Sequence, residues 1–234
     1  DQDSLAEEVE EQYVAPYRAV SLARNLTLAQ VVDLMGEDQF RGLLFPMPVW
    51  RRVYPSGELA AHVVGYVGEI TRDELEDLAD PRYRGGDMIG KIGIEAVYEE
   101  ELRGEVGEEA VEVDSRGRKL RDVSHREPKR GKDITLTLDL SAQRLASELM
   151  AGQRGAVVAM DVRDGSVKVL FSSPSFDPNP ISWGISSKEW GALMGDRQRP
   201  MMNRAVSGTY PPASTFKVVT AIAALEEGVV TQST

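Results

Sequence analysis

Cysteine is absent from the 234 residues, which excludes disulfides and thiolate metal ligands. Histidine is scarce. His62 and His125 stand far apart, neither has a partner at ligand spacing, and each reads as a structural or surface residue rather than a metal ligand. No metal and no cofactor is expected. No run approaches the ~20 apolar residues of a membrane span, and no signal peptide opens the chain. It begins at Asp1 in an acidic stretch without an initiator methionine, and so reads as a piece of a longer protein. Positive charge is in deficit, with 27 Lys and Arg against 38 Asp and Glu, a net charge of -11. Such a surface repels phosphate, so nucleic acid is not an expected partner. What is present is a hydrophobic content of 41%, enough for a globular core, in a length that suits one large or two modest domains.

Residues 4–14 are acidic and expected to be helical, with Glu7, Glu8, Glu10 and Glu11 as a solvated face, and residues 17–23 alternate loosely like a strand. Thr27 and Gln30 form a capping box for a helix that ends at Gly36. Residues 43–45 and 49–54 are short strand candidates, the second closed by Pro55-Ser56-Gly57. Gly65 and Gly68, set among apolar residues, suggest close packing. Thr71 and Glu74 form a second capping box, for a helix through Leu78, and Gly85-Gly86-Asp87 reads as a turn. Gly90-Lys91-Ile92-Gly93 leads into a helix stopped by Gly104. Without G-x-G-x-x-G or G-K-[ST] after a strand, it is not a phosphate loop. Residues 106–123 read as a hairpin around Ser115-Arg116-Gly117, 128–133 as a basic loop, and 134–139 as an alternating strand. Ser141 is placed to cap an amphipathic helix with Ala142, Leu145, Ala146 and Leu149 on one face.

From Gly155 the character changes. Residues 155–162 form a near-continuous apolar strand, Asp164-Gly165 a tight turn, and residues 166–172 the returning strand. A loop rich in proline and asparagine spans 173–180, and residues 187–193 suit a short helix. Asn203-Arg204-Ala205 precedes Tyr210-Pro211-Pro212-Ala213-Ser214-Thr215-Phe216-Lys217. The two prolines end any upstream helix, so a new one starts near Ser214 and runs toward Gly228. Residues 218–225 are apolar except Thr220, the pattern of a buried helix. Ser214 and Lys217, three apart, share a face. A hydroxyl beside an amine at an apolar helix mouth suits nucleophilic catalysis, because desolvation favours the neutral amine that takes the hydroxyl proton. S-x-x-K alone is common by chance. The plain alternative is a helix cap with a lysine along its flank.

Tyr-Pro-Pro-x-Ser-Thr-Phe-Lys resembles the first active-site motif of the penicillin-binding proteins, the D,D-transpeptidases of bacterial peptidoglycan. The family usually carries glycine where this chain has Ala213. The resemblance covers nearly the whole chain. Residues 62–70, then Gly93-Ile94-Glu95, Tyr98-Glu99 and Leu102-Arg103-Gly104, are similar to the non-catalytic pedestal of the class B proteins, most of all the elongation-specific type. Residues 133–143 resemble the joint to the transpeptidase domain, and 155–171 its first hairpin.

The resemblance implies an α+β chain. A β-rich pedestal, of the dimerisation type, would span residues 1–139, and the incomplete first part of an α/β transpeptidase domain residues 140–234. It implies that Ser214 attacks the D-Ala-D-Ala carbonyl of a stem peptide, that Lys217 accepts the serine proton, and that β-lactams acylate the same serine. It further implies a single-pass membrane protein with periplasmic domains, anchored by an upstream helix not in this chain. Its pedestal would bind and activate a SEDS-type glycan polymerase. The family's S-x-N and K-[ST]-G motifs do not follow Ser214 in these residues, so this piece alone is expected to be inactive. Two other readings stand beside this one. A β-lactamase or β-lactam sensor shares the Ser214 motif but not the upstream domain. Alternatively, these residues act purely as an interaction module, with a docking face around 41–54.

Overall fold

The computed structural model describes residues 22–23, 26–38, 44–47, 50–114, 119–231 and 233. The expected helix at 4–14, most of the strand at 17–23 and the turn at 115–117 lie outside them.

Short-range signals set the first elements. Helix α1 (Leu28–Gly36) opens on Thr27, whose hydroxyl accepts the Gln30 N–H while the Gln30 side chain accepts the Thr27 N–H. The same box, Thr71 with Glu74, opens α3 (Arg72–Leu78). Lys91 Nζ lies 2.5 Å from Glu74 Oε2, and this bond, with the Thr71 N–H, holds the Glu74 carboxyl below its ordinary range. Between these helices the expected strands are missing. The described residues of 44–54 form no ladder and run as irregular chain into a 3-10 turn (Gly57–Leu59) and the one-turn helix α2 (Ala61–Val64). At the end of this stretch, distant side chains rather than a neighbouring strand take the backbone groups of Arg52 and Tyr54, the Trp183 ring N–H donating to the Arg52 carbonyl. Asn179 Oδ1 accepts the Tyr54 N–H at 2.9 Å, and Asn179 Nδ2 donates to the Tyr54 carbonyl at 3.0 Å.

Strand β1 (Val67–Glu69) pairs antiparallel with β2 (Met88–Gly90), Gly68 opposite Ile89. Gly65 has φ +82°, and an added Cβ would lie 1.8 Å from the Ile92 carbonyl oxygen, so the packing expected there is real. Gly93 follows with a short helix, α4 (Gly93–Val97), which breaks at Tyr98 before α5 (Glu99–Arg103), so the single helix expected here is two. Gly104, at φ +73°, ends it. A second antiparallel pair, β3 (Glu108–Val113) with β4 (Lys119–Arg126), forms the expected hairpin.

Residues 134–139 alternate between half-buried and exposed as a strand would, yet they join no ladder. Contact with the next unit is made by the Asp139 N–H to the Lys168 carbonyl and the Thr137 hydroxyl to the Val167 carbonyl. Asp139, not Ser141, caps α6 (Leu140–Leu149), its Oδ1 accepting two backbone N–H groups. The buried face also differs from expectation. Gln143 and Ala146 are buried, while Leu145 and Leu149 are exposed. The strands β5 (Gly155–Met160) and β6 (Val167–Ser173) pair antiparallel as expected, Val157 opposite Phe171. Ala146, Val169 and Phe171 form a small core between α6 and this hairpin. The loop expected at 173–180 contains the start of α7 (Pro178–Gly184), capped by Asp177 with proline at its first position. Helix α8 (Ser187–Gly195) follows, with a capping box of Ser186 and Glu189, then α9 (Arg204–Ser207).

The larger core lies between the two halves of the chain. Tyr54, Ala61 and Tyr66 from the first half meet Phe176 and Ile181 from the second, with Trp190, Leu193 and Met201 packed around them. At roughly 25 cal/mol per Å2 of apolar surface, this shared burial, rather than any sheet, joins the halves.

Candidate active site

Ser214 lies in a 3-10 turn (Ala213–Phe216), and Lys217 is the first residue of α10 (Lys217–Glu226). The Lys217 N–H donates to the Ser214 carbonyl. A 3-10 turn stacks side chains at i and i+3, so the backbone sets this hydroxyl and this amine along one edge. Two prolines lead in, and the Thr215 N–H and hydroxyl both return to the Pro212 carbonyl, which fixes the turn. Ala213 has φ +46°. A left-handed conformation costs an L-residue about 1–2 kcal/mol, so the residue before Ser214 adopts the backbone that glycine would take freely.

The expected burial of the helix is not found. Ser214, Lys217 and every residue of α10 except the half-buried Ala224 are exposed, Val218, Val219, Ile222 and Leu225 among them. The apolar pattern reads as a buried helix, but no element among the described residues packs over it. The desolvation invoked for Lys217 therefore has no source within these residues. Thr220, the polar exception, turns its hydroxyl to the Phe216 carbonyl at 3.3 Å, one turn back.

The approach to Ser214 is built more firmly. Arg204, 4% exposed, aims its guanidinium at the carbonyls of Gln198, Arg199 and Met202, and its N–H donates to Ser172 Oγ of β6. Gly208 lies under the Tyr210 ring, where an added Cβ would meet a ring carbon at 2.5 Å. The opposite side of residues 198–203 faces His62. Its Nε2 donates to the Pro200 carbonyl at 2.7 Å, its ring meets Phe176 edge-on at 5.2 Å, and the Asn203 amide donates to the His62 carbonyl. Sequence reasoning left His62 and Arg204 without a place. The signal was their position in two quoted motifs, but nothing local marks them as partners of one loop.

Elsewhere, Arg52 Nε meets Glu95 Oε1 at 2.6 Å, with the Glu95 side chain 2% exposed. Burial pushes the Tyr54 phenol up to about 12. The Tyr54 hydroxyl accepts the Val67 N–H at 2.9 Å. Among the described residues no group of three or more His, Asp or Glu is arranged to hold a metal ion.

The comparisons with known proteins agree on one family. The penicillin-binding protein dimerisation domain matches residues 1–136 and the penicillin-binding protein transpeptidase domain residues 155–234. The peptidoglycan D,D-transpeptidase MrdA of Escherichia coli is 43% identical over 223 residues, 93% of this chain and 35% of that protein. The chain thus spans about a third of the length of such relatives. Among solved structures, the complex between a penicillin-binding protein (PBP2) and MreC from Helicobacter pylori has a TM-score of 0.81 at 28% identity, covering 100% of this chain and 44% of that one. PBP2 from Pseudomonas aeruginosa gives 0.64 at 39% identity, over 81% of this chain and 38% of that one. The chain belongs to the class B penicillin-binding proteins of the PBP2 type, and carries their dimerisation domain, the pedestal, followed by part of their transpeptidase domain.

Proposed function

We propose that the protein is a peptidoglycan D,D-transpeptidase of cell elongation, acting through a serine acyl-enzyme. The observation that carries this is Ser214 and Lys217 one turn apart at a fixed 3-10 turn, with Ala213 held left-handed before them. Ser214 Oγ attacks the carbonyl of the penultimate D-Ala and Lys217 Nζ takes its proton. The tetrahedral intermediate expels the terminal D-Ala, whose amine leaves with that proton. An amine of a neighbouring strand then attacks the ester, and Ser214 is regenerated. The backbone N–H of Ser214 serves as one oxyanion donor. The second, and the S-x-N and K-[ST]-G groups, belong to parts of the enzyme outside these residues, so this piece alone is not expected to turn over. In the whole protein we expect the remainder of the transpeptidase domain to cover α10, which supplies the desolvation that Lys217 requires. The substrate places the site outside the cytoplasmic membrane. The anchor lies outside the described residues, none of whose helices is long and apolar enough to cross one. The test is labelling of the full-length protein by a fluorescent penicillin. Labelling that is lost in Ser214→Ala and Lys217→Ala supports the assignment, and labelling that persists in Ser214→Ala removes it.

The pedestal has a second role in this reading, as a docking platform. Phe45, Met47 and Trp50 are exposed along residues 44–50, and Leu28 and Val32 on α1, and exposed apolar side chains of this kind favour a protein partner. The Helicobacter relative was solved with MreC, and a partner of that kind, or a SEDS-type polymerase in the membrane, fits this surface. Trp50→Glu in the full-length protein should weaken co-purification with either partner and lower the partner polymerase's activity. Unchanged capture of both would exclude this face.

A further inference from the structure

Arg204 is 4% exposed, yet among the described residues its guanidinium is met by carbonyls and by no carboxylate. Nη1 donates to the Arg199 carbonyl at 3.1 Å and to the Met202 carbonyl at 3.4 Å, and Nη2 donates to the Gln198 carbonyl. A buried cation without a paired anion is costly, so this position calls for something that a neutral side chain does not supply. What a guanidinium supplies is a rigid planar fork of donors, able to face three carbonyls that converge from one loop. A lysine ammonium is a single point of charge on a flexible stem.

The loop so gathered is strained. Arg199, exposed at its side chain, has φ +49°, in the left-handed region, and its carbonyl is one of the three that Arg204 binds. The main chain of Arg204 is fixed as firmly as its side chain. Its N–H donates to Ser172 Oγ of β6 at 3.0 Å, and that fully buried hydroxyl donates to the Met202 carbonyl at 3.0 Å. Its carbonyl lies against Gly208. A Cβ added to Gly208 would meet the Arg204 oxygen at 2.6 Å and a Tyr210 ring carbon at 2.5 Å. At Gly208, then, the Arg204 main chain and the Tyr210 ring close on the same bare backbone. From Tyr210, two prolines of fixed φ lead to Ala213 at φ +46° and to Ser214. Two residues held left-handed, Arg199 and Ala213, thus bracket a path whose middle is anchored to β6 by Arg204.

We propose that Arg204 is a positioning residue for acylation. By gathering the carbonyls of residues 198–202 it holds α9 on β6, and through the Gly208–Tyr210 contact it sets where Ser214 stands. The kinetic test rests on the serine reading of the preceding subsection, whereas the structural test does not, so the two fail separately. Both use the full-length protein.

The kinetic test resolves penicillin acylation into a dissociation constant and a rate constant at saturation. Arg204→Lys keeps the charge and removes the fork. Its acylation rate constant should fall about tenfold or more, with the dissociation constant within about threefold of wild type. A merely structural role would lower the fraction of protein that labels and leave the rate constant of that fraction at the wild-type value, which overturns the proposal. Gly208→Ala leaves the fork in place and parts the Arg204 carbonyl from the Tyr210 ring. It should slow acylation in the same way, and the double variant should be little slower than either single one. A double variant slowed by the product of the separate effects overturns the relay.

The structural test is hydrogen exchange. In Arg204→Lys, peptides covering 202–207 should lose protection about fivefold or more, and so should those covering 209–217, where the Thr215 and Lys217 N–H groups close the turn. A loss that stops at residue 207 overturns the relay. Wild-type protein that penicillin does not label refutes the serine reading, and the exchange result then decides the position of Arg204 by itself.

Discussion

Gln143 holds Leu170 by both halves of its peptide. Its Nε2 donates to the Leu170 carbonyl at 2.9 Å and its Oε1 accepts the Leu170 N–H at 3.0 Å. The same Nε2 donates to the Leu59 carbonyl at 2.7 Å, so one amide, 1% exposed, joins the transpeptidase hairpin to the pedestal. Gln143→Ala leaves three partly buried backbone groups without their side-chain partner. The expected cost is about 3 kcal/mol, at about 1–3 kcal/mol for each orphaned group and with partial rescue by water. Chemical denaturation checks the cost, and hydrogen exchange at Leu170 should show it first.

The Arg52–Glu95 pair is asymmetric, with the arginine side chain 42% exposed and the carboxylate 2%. Removing the exposed member is therefore the damaging change. Arg52→Ala should destabilise by about 2 kcal/mol, below the usual range for a fully buried pair because water screens the arginine. The double variant Arg52→Ala with Glu95→Gln should recover most of that loss, as read by the shift in unfolding midpoint.

Tyr54 supplies a pH dependence. Its phenol is pushed up to about 12, chiefly by burial, from the ordinary tyrosine value of 10.0. A pKa raised in the folded state favours the protonated form. This contribution is fully present below about pH 10 and is lost as the pH rises through about 12. Ultraviolet titration of phenolate should show Tyr54 lagging, together with Tyr66, whose phenol is also raised by burial and by Glu74, and Tyr54→Phe should shrink the lag by one tyrosine. The same variant leaves the Val67 N–H without its acceptor, at a cost of about 1–2 kcal/mol.

Ala213 stores strain beside Ser214. Ala213→Gly relieves about 1–2 kcal/mol in the folded chain and loses about 0.5–1 kcal/mol to the freer unfolded chain, a net gain of about 0.5–1 kcal/mol for the turn. Ala213→Val, with a β-branched side chain at positive φ, should slow penicillin acylation of the full-length protein by at least about tenfold. Rates measured for both variants against wild type check the direction of each.

The legible features were those written within a few residues of themselves. The boxes at Thr27 and Thr71 need only a hydroxyl and an acid or amide three positions on, and both form. The Asp164-Gly165 turn registered β5 against β6 for the same reason. At residues 134–139 the expected alternation is present in the exposure of the side chains, but the expected strand is not. Whether a ladder forms depends on a neighbour elsewhere in the chain, and among the described residues none pairs with them. On α6, apolar counting favoured Leu145 and Leu149. The face was set instead by Gln143, because a buried amide with three partners outweighs two leucines left in water. The apolar run of α10 announced a buried helix, but burial is a property of what lies across from it.

By itself the sequence determined the local backbone: proline before the turn, a helix beginning near Ser214, and Ser214 and Lys217 three positions apart, a spacing that backbone periodicity alone turns into a shared face; that the start is a 3-10 turn is a finding of the structure. The tertiary structure decided which residues join the halves, placing His62 on Pro200 and Asn179 on Tyr54 across 138 and 125 residues of chain. It also decided that α10 stands uncovered among the described residues. Periodicity is carried by neighbours in the chain, whereas burial and hydrogen-bond satisfaction depend on groups that only folding brings together.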